Sequence, residues 1–461
     1  SHDMQVFESR IYLCNSAGCQ GRIAPQPLPK RFLTLLRRCS ENYLFKILFN
    51  SNELNKFYFD FKAISQKNQQ QAEDANKPES SLISHEYDLV LFRKFLASIQ
   101  VRTPQEKRPP FYFIHPILPH SPWEFYPSGR SYPASRMVNQ SADVLCENAP
   151  SLLYCQNTKR PRSIYQRHLL QAGYADNLLG QTIARLKAAQ LYDQSLIIVT
   201  ADHGISFIPN EHRRPVSAHN FSDIMSVPLL IRQPGQTTGK RDYRQAETVD
   251  IVPTMAHSLN IAMNWHADGK SLLQQPASQR VSHTICSPQT RLKFSTGQLQ
   301  AAKQAALHRK LAHFGELRLH PEEIFNTGQH RPLIGAHLSN SQVAGNSRMR
   351  FTLSPAMPFN AAHRQDARPV LLIGRLFLPA RFNQPRLLAE TDLAVAINGS
   401  IVAASQPFHY NKTLQQADLA VLIPENSYNP RTDNLQLLEV TGPPLRFYRL
   451  TSHPRPAGAK N

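Results

Sequence analysis

Several features that would classify this chain quickly are missing from it. Nowhere in its 461 residues does an apolar run approach the roughly 18 residues needed to cross a bilayer. No secretory signal pattern opens the chain. No internal repeat of fixed period is evident. Acidic residues are also scarce: 33 Asp and Glu stand against 52 Lys and Arg, for a net charge of +19. That imbalance favours anionic partners such as sulfate or phosphate esters, nucleic acid or acidic lipid. Nucleic acid drops out, because neither a recognised module nor interleaved aromatic and basic residues accompany the charge.

Cysteine is sparse, at 6 residues. Cys14 with Cys19 and Cys146 with Cys155 lie in polar, turn-rich surroundings and read as two local disulfides of an oxidising, extracytoplasmic compartment. Half of a zinc site at Cys14 and Cys19 is an alternative, although no second Cys or His pair of suitable spacing follows. Reduced bystanders are the third reading. The opening Ser1 to Met4 looks like a tag or cloning remnant.

The length predicts about two or three domains. Residues 62–81 are polar and rich in turn formers, an exposed loop. Leu89, Phe92, Phe95, Leu96 and Ile99 recur at helical spacing over 83–100, and Phe111 to Ile114 form a short strand ending at His115. A long helix from Ser163 to about Gln190 follows Pro161 and presents Ile164, Tyr174, Leu178, Leu179, Ile183 and Leu186. It runs into a strand at Leu196 to Thr200, and "SVPLLIR" at 226–232 is a third strand before a helix after 248–254. Strands alternating with helices predict an α/β domain over 5–285, with a mostly parallel sheet flanked by helices. A helical linker, basic over 297–313, fills 286–335. Short β-rich runs over 336–461 predict an antiparallel β domain, in which Asn398 and Gly399 form the turn of a hairpin.

The chemistry gathers at strand ends. In "LIIVTADHGISF" (196–207) an apolar strand stops at Asp202, His203 and Gly204, either a polar cap or part of a metal site. In open parallel sheets ligands bind where strands end, and His115, with His120 nearby, ends another strand. A carboxylate and an imidazole suit one divalent ion (Ca, Mg, Mn or Zn), able to polarise an ester oxygen or activate a hydroxyl. His120 can pass a proton or hydrogen bond to an anionic leaving group. His212, Arg213, Arg214 and His219 supply a candidate oxyanion wall, although a run such as "EHRRP" also suits a solvated loop.

"LYDQSLIIVTADHG", the preceding "YADNLLGQTIARLKAAQ", "FIHPILPHSPWEFYPSG", "SVPLLIRQPGQ", "TVDIVPT" and "HADGKSL" together resemble the sulfatases and their phosphotransferase relatives in the alkaline phosphatase superfamily. Membrane-associated bacterial sulfatase-like proteins with a C-terminal β region are similar, including in the hairpin at 393–404. The resemblance implies an alkaline phosphatase-like fold, Asp202 and His203 as ligands of one metal, and His120 on the transferred sulfuryl or phosphoryl oxygen with His115 assisting. Histidine after the aspartate is typical of the phosphatase and phosphoglycerol-transferase branches, whereas sulfatases commonly have asparagine there. No Cys-x-Pro-x-Arg or Ser-x-Pro-x-Arg nucleophile motif occurs, and "VFESRIYLCNSAGC" resembles a segment downstream of the nucleophile. The expectation is therefore a metal-dependent sulfuric or phosphoric ester hydrolase or transferase lacking an upstream segment and inactive by itself, with any membrane attachment through that region. The alternative is a catalytically inactive module that holds an anionic polymer or a partner protein.

Overall fold

The computed structural model describes residues 3–8, 85–103, 109–132, 160–208, 211–274, 281–286, 291–316, 321–328, 330, 333–338, 342–353, 371–379, and 391–453 apart from 412, 426, 430, 431 and 443. The 62–81 loop and both cysteine pairs lie outside the described residues. The chain divides into two compact units, one of 1–118, 176–206 and 214–303, the other of 119–175, 207–213 and 304–461. Among the described residues, no helix is long and apolar enough to cross a membrane.

In the first unit, β1 (Asp3–Glu8) pairs in parallel with β2 (Pro110–His115), so Asp3 and Met4 belong to a strand. Helix α1 (His85–Ser98) buries Phe92 and Phe95 on the stripe that the helical spacing predicts. Its buried Asp88 accepts the backbone N–H groups of Ile117 (3.0 Å) and Leu118 (3.3 Å), fixing the chain as it leaves β2. Backbone donors that have left a ladder need such a partner when buried.

Helix α2 (Arg160–Ala188) carries Pro161 in its first turn, where a missing N–H and a fixed φ do no harm. It ends in a Schellman motif. Leu191 N–H bonds the Leu186 carbonyl (2.9 Å), Gln190 N–H bonds the Lys187 carbonyl (3.0 Å), and Gln190 takes φ 59°. The two leucines that bracket this cap are both buried, the apolar pairing such a motif favours. The cap turns the chain into β3 (Ile197–Thr200), which carries the Asp-His pair at its end.

The first unit corrects the expected sheet in one respect. β3 pairs antiparallel with β4 (Leu229–Arg232), and among the described residues β1–β2 is the one parallel ladder of this unit. A parallel return needs a long crossover, usually a helix. Between β3 and β4 the described helix is only the five-residue α3 (Phe221–Met225), so β4 comes back alongside. Helix α4 (Ile251–Ser258) follows, then the antiparallel pair β5 (Ser282–Cys286) and β6 (Arg291–Ser295), which the sequence pattern did not reveal. Helix α5 (Thr296–Phe314) matches the expected basic helix.

The second unit holds an eight-stranded sheet. Its strands are β7 (Val343–Leu353), β8 (Leu371–Phe377), β9 (Asp392–Ile397), β10 (Ser400–Ser405), β11 (Phe408–Asn411), β12 (Gln416–Leu422), β13 (Leu435–Thr441) and β14 (Arg446–Ser452). The order is β10-β9-β13-β14-β7-β8-β12-β11. All ladders are antiparallel except β14 with β7, so the sheet is mixed rather than purely antiparallel. Every residue of β9 is buried. Burying Leu393, Val395 and Ile397 stabilises by about 2 kcal/mol each, which makes this strand a central support of the sheet. Asn398 (φ 51°) and Gly399 (φ 83°) form the predicted turn between β9 and β10. The Asn398 amide is engaged as well: Nδ2 donates to Asp433 Oδ1 (3.0 Å) and Oδ1 accepts the Asn434 N–H (2.9 Å).

Candidate functional site

Where β3 ends, Asp202 turns back on its own neighbour. Its Oδ1 accepts the His203 backbone N–H (2.8 Å), while Oδ2 lies 3.6 Å from His203 Nε2. His203 Nδ1 meets the Gly204 carbonyl at 2.7 Å. A carbonyl can only accept, so Nδ1 carries the hydrogen, and the neutral ring keeps its lone pair on Nε2, the atom beside the carboxylate. The two side chains are 17% and 21% exposed, dry enough to strengthen a polar contact and open enough for a ligand to reach.

Glycine is required at 204. Its N–H bonds the Ile224 carbonyl (2.6 Å), and a Cβ there would sit 2.2 Å from the Asp223 carbonyl oxygen. This close approach of strand end and α3 holds the Asp-His step in place.

Arg214 joins the pair: its Nη2 donates to His203 Nε2 at 2.6 Å. Asp202, His203 and Arg214 are thus brought together in the first unit. His115 ends β2 in the same unit, half-buried and in register with Glu8. His219 is exposed, its N–H bonded to Ser217 Oγ (3.1 Å). Arg213 and His120 belong to the second unit.

A carboxylate beside an imidazole whose other nitrogen is fixed by a backbone carbonyl is the donor chemistry of a metal ligand pair. Asp202 and His203 therefore suit a divalent ion as two donors. Among the described residues, no group of three or more His, Cys, Asp or Glu is placed to hold one.

In the second unit, His120 lies on the segment 119–124 against α2. Its Nδ1 meets the Ser121 carbonyl at 2.6 Å, so in the neutral ring Nε2 is the acceptor nitrogen and the imidazolium is the form that donates there. The sequence pattern missed what α2 presents to this segment. Gln171 is fully buried and hydrogen-bonds three of its backbone groups. His168 sits among Trp123, Tyr165 and Phe207, at ring separations of 6.0, 6.4 and 5.3 Å. Burial, aided by the nearby Lys310 charge, lowers its pKa to about 4. Arg167 is 4% exposed, and burial depresses its pKa while Tyr132 and Tyr126 oppose the shift. Polar residues scattered among Leu169, Leu170 and Tyr174 look like an exposed helix face in a sequence. Only the packed segment reveals them as buried.

Two of the recognised motifs meet in the first unit. Asp250 of "TVDIVPT" is wholly buried, and its carboxylate accepts the N–H groups of Glu247 (2.8 Å) and of Lys270 in "HADGKSL" (2.8 Å). Gly269 lets the two backbones touch, since a Cβ there would lie 2.0 Å from the Val249 oxygen.

Comparison with known proteins places these motifs. The family model described as Sulfatase matches residues 40–261. Arylsulfatase K of Danio rerio is 28% identical over 134 residues, 29% of this chain and 25% of that protein. Lipoteichoic acid synthase 1 of Bacillus subtilis (strain 168) is 36% identical over 92 residues, 19% of this chain and 14% of that protein. The chain thus spans a quarter or less of the length of these curated relatives. Among solved structures, the phosphonate monoester hydrolase of Agrobacterium radiobacter aligns with 52% of this chain and 62% of its own at 18% identity, with a TM-score of 0.35. That score is too low to carry an argument about the fold.

Proposed function

From the match of residues 40–261 to the Sulfatase family model, we propose that this chain takes part in metal-dependent hydrolysis or transfer of a sulfate or phosphate ester. The observation that carries this reading is the pairing of Asp202 Oδ2 with His203 Nε2 at 3.6 Å, with Nδ1 committed to Gly204.

Asp202 and His203 would hold one divalent ion (Ca, Mg, Mn or Zn), which when bound supplies Lewis-acid polarisation of the ester and activation of a hydroxyl. The remaining work falls to this chain's own side chains. His120, as imidazolium, gives a hydrogen bond and then a proton at Nε2 to the leaving oxygen, its Nδ1–H staying on the Ser121 carbonyl. His115 assists. Arg213, Arg214 and His219 bind the anionic oxygens, a role that the net charge of +19 supports. The cysteine spacing favours an extracytoplasmic setting.

The test is metal content. Purified wild type should carry or take up a divalent metal that the Asp202→Ala, His203→Ala double variant does not. Turnover of p-nitrophenyl sulfate and p-nitrophenyl phosphate by this chain alone should be slight or absent. Equal metal in both proteins would reject the site.

A second reading, an inactive module that holds an anionic polymer, is favoured by α5. Over its 19 residues it carries Lys303, Arg309, Lys310, His308 and His313 and no acid. Salt-sensitive binding to a polyanion without metal-dependent turnover is its signature.

A further inference from the structure

We propose that Gln171 is the positioning residue for His120, setting both the direction and the tautomer of its imidazole. This rests on the reading that His120 meets the ester.

Gln171 is 0% exposed and lies on α2 opposite the segment Pro119–Glu124. Its Nε2 donates to the carbonyls of His120 (2.6 Å) and Pro122 (3.2 Å), and its Oε1 accepts the Glu124 N–H (2.9 Å). One amide thereby uses both of its donors and one acceptor site on backbone groups of alternate residues, 120, 122 and 124, of the same segment. The Ser121 carbonyl lies between the two carbonyls that Gln171 grips. It is this Ser121 carbonyl that takes the His120 Nδ1–H at 2.6 Å. Gln171 therefore fixes the peptide that fixes the ring. His168, one turn earlier on the same helix, packs against Trp123 of the segment at a ring separation of 6.0 Å, and Trp123 Nε1–H bonds the Pro119 carbonyl (3.0 Å).

Packing alone would be served by any side chain of this size. Three hydrogen bonds to alternate residues do something more specific, because buried carbonyls with no donor are each strongly unfavourable and would rotate to find one. Rotation of the Ser121 peptide would release Nδ1 and allow the ring to adopt the other tautomer.

The experiment uses the full chain labelled with ¹⁵N-histidine. Long-range ¹H–¹⁵N spectra report the tautomer of His120, identified by the signal missing in His120→Ala. Inorganic phosphate is the probe, titrated against Trp123 fluorescence in a Trp265→Phe background, which leaves Trp123 as the sole tryptophan of the two. Wild type should show the Nδ1–H tautomer. Gln171→Leu should show a mixture with the Nε2–H form and bind phosphate about tenfold more weakly. Gln171→Glu keeps an acceptor for Glu124 and loses both donors, so it should behave like Gln171→Leu and carries the test if that variant does not fold. A lower melting temperature with unchanged tautomer and unchanged phosphate affinity would show Gln171 to be a structural peg and overturn the proposal. If phosphate binds wild type and His120→Ala equally, the reading of His120 as an ester contact fails, while the tautomer result still judges Gln171.

Discussion

Arg214 donates a hydrogen bond to His203 Nε2 across 2.6 Å, the same nitrogen that stands beside the Asp202 carboxylate. A guanidinium and a divalent ion cannot share that lone pair, and their like charges repel. Arg214 is exposed, so it can swing away without breaking a core. Under the metal reading, Arg214→Gln should raise affinity for Mn²⁺ by roughly three- to tenfold, an order-of-magnitude allowance for one displaced hydrogen bond. Titration of Mn²⁺ followed by electron paramagnetic resonance checks this directly. Unchanged affinity would mean that Arg214 does not compete for the His203 nitrogen.

Gly204→Ala should be destabilising by about 2 kcal/mol, because a methyl group is forced against backbone and cannot be absorbed by a side-chain rotation. The Cβ would meet the Asp223 oxygen at 2.2 Å. Urea denaturation should show a lowered midpoint; a midpoint equal to wild type would contradict the close approach.

Asp250→Ala leaves the N–H groups of Glu247 and Lys270 without their carboxylate. Losing two hydrogen bonds to a buried charge should lower stability by about 3 kcal/mol. Differential scanning calorimetry measures the loss. Asp250→Asn, which keeps one acceptor oxygen, should recover part of it.

His168 predicts an acid-side loss of stability. Burial and Lys310 lower its folded pKa to about 4 from an ordinary 6.5, so the unfolded chain takes up the proton first as pH falls. Stability is full above about pH 6.5, declines through the interval, and levels off below about pH 4. The contribution is on the order of 3 kcal/mol. Melting temperatures from pH 7.5 to 5, where ordinary carboxylates stay largely ionised, should fall more steeply for wild type than for His168→Phe. Parallel slopes would remove His168 as the cause.

What could be read from the sequence is what neighbouring residues decide among themselves. Helical spacing found α1 and α2, composition suggested α5, apolar runs found β2, β3 and β4, and the Asn398–Gly399 turn was legible because positive φ at two successive residues is a local demand. The ordered motifs pointed to the same family as the Sulfatase model that matches residues 40–261, and the Asp-His step at the end of β3 was visible as a candidate. Tertiary structure decided everything that depends on partners distant in the chain. The antiparallel return of β4 and the parallel pairing of β14 with β7 follow from connections, which strand composition does not encode. The grip of Gln171 on the carbonyls of His120 and Pro122, separated from it by 51 and 49 positions, belongs to the same class. A lone glutamine on a helix looks identical whether it faces water or a backbone, because hydrogen-bonding capacity is local while its satisfaction is set by whatever the fold brings within 3 Å.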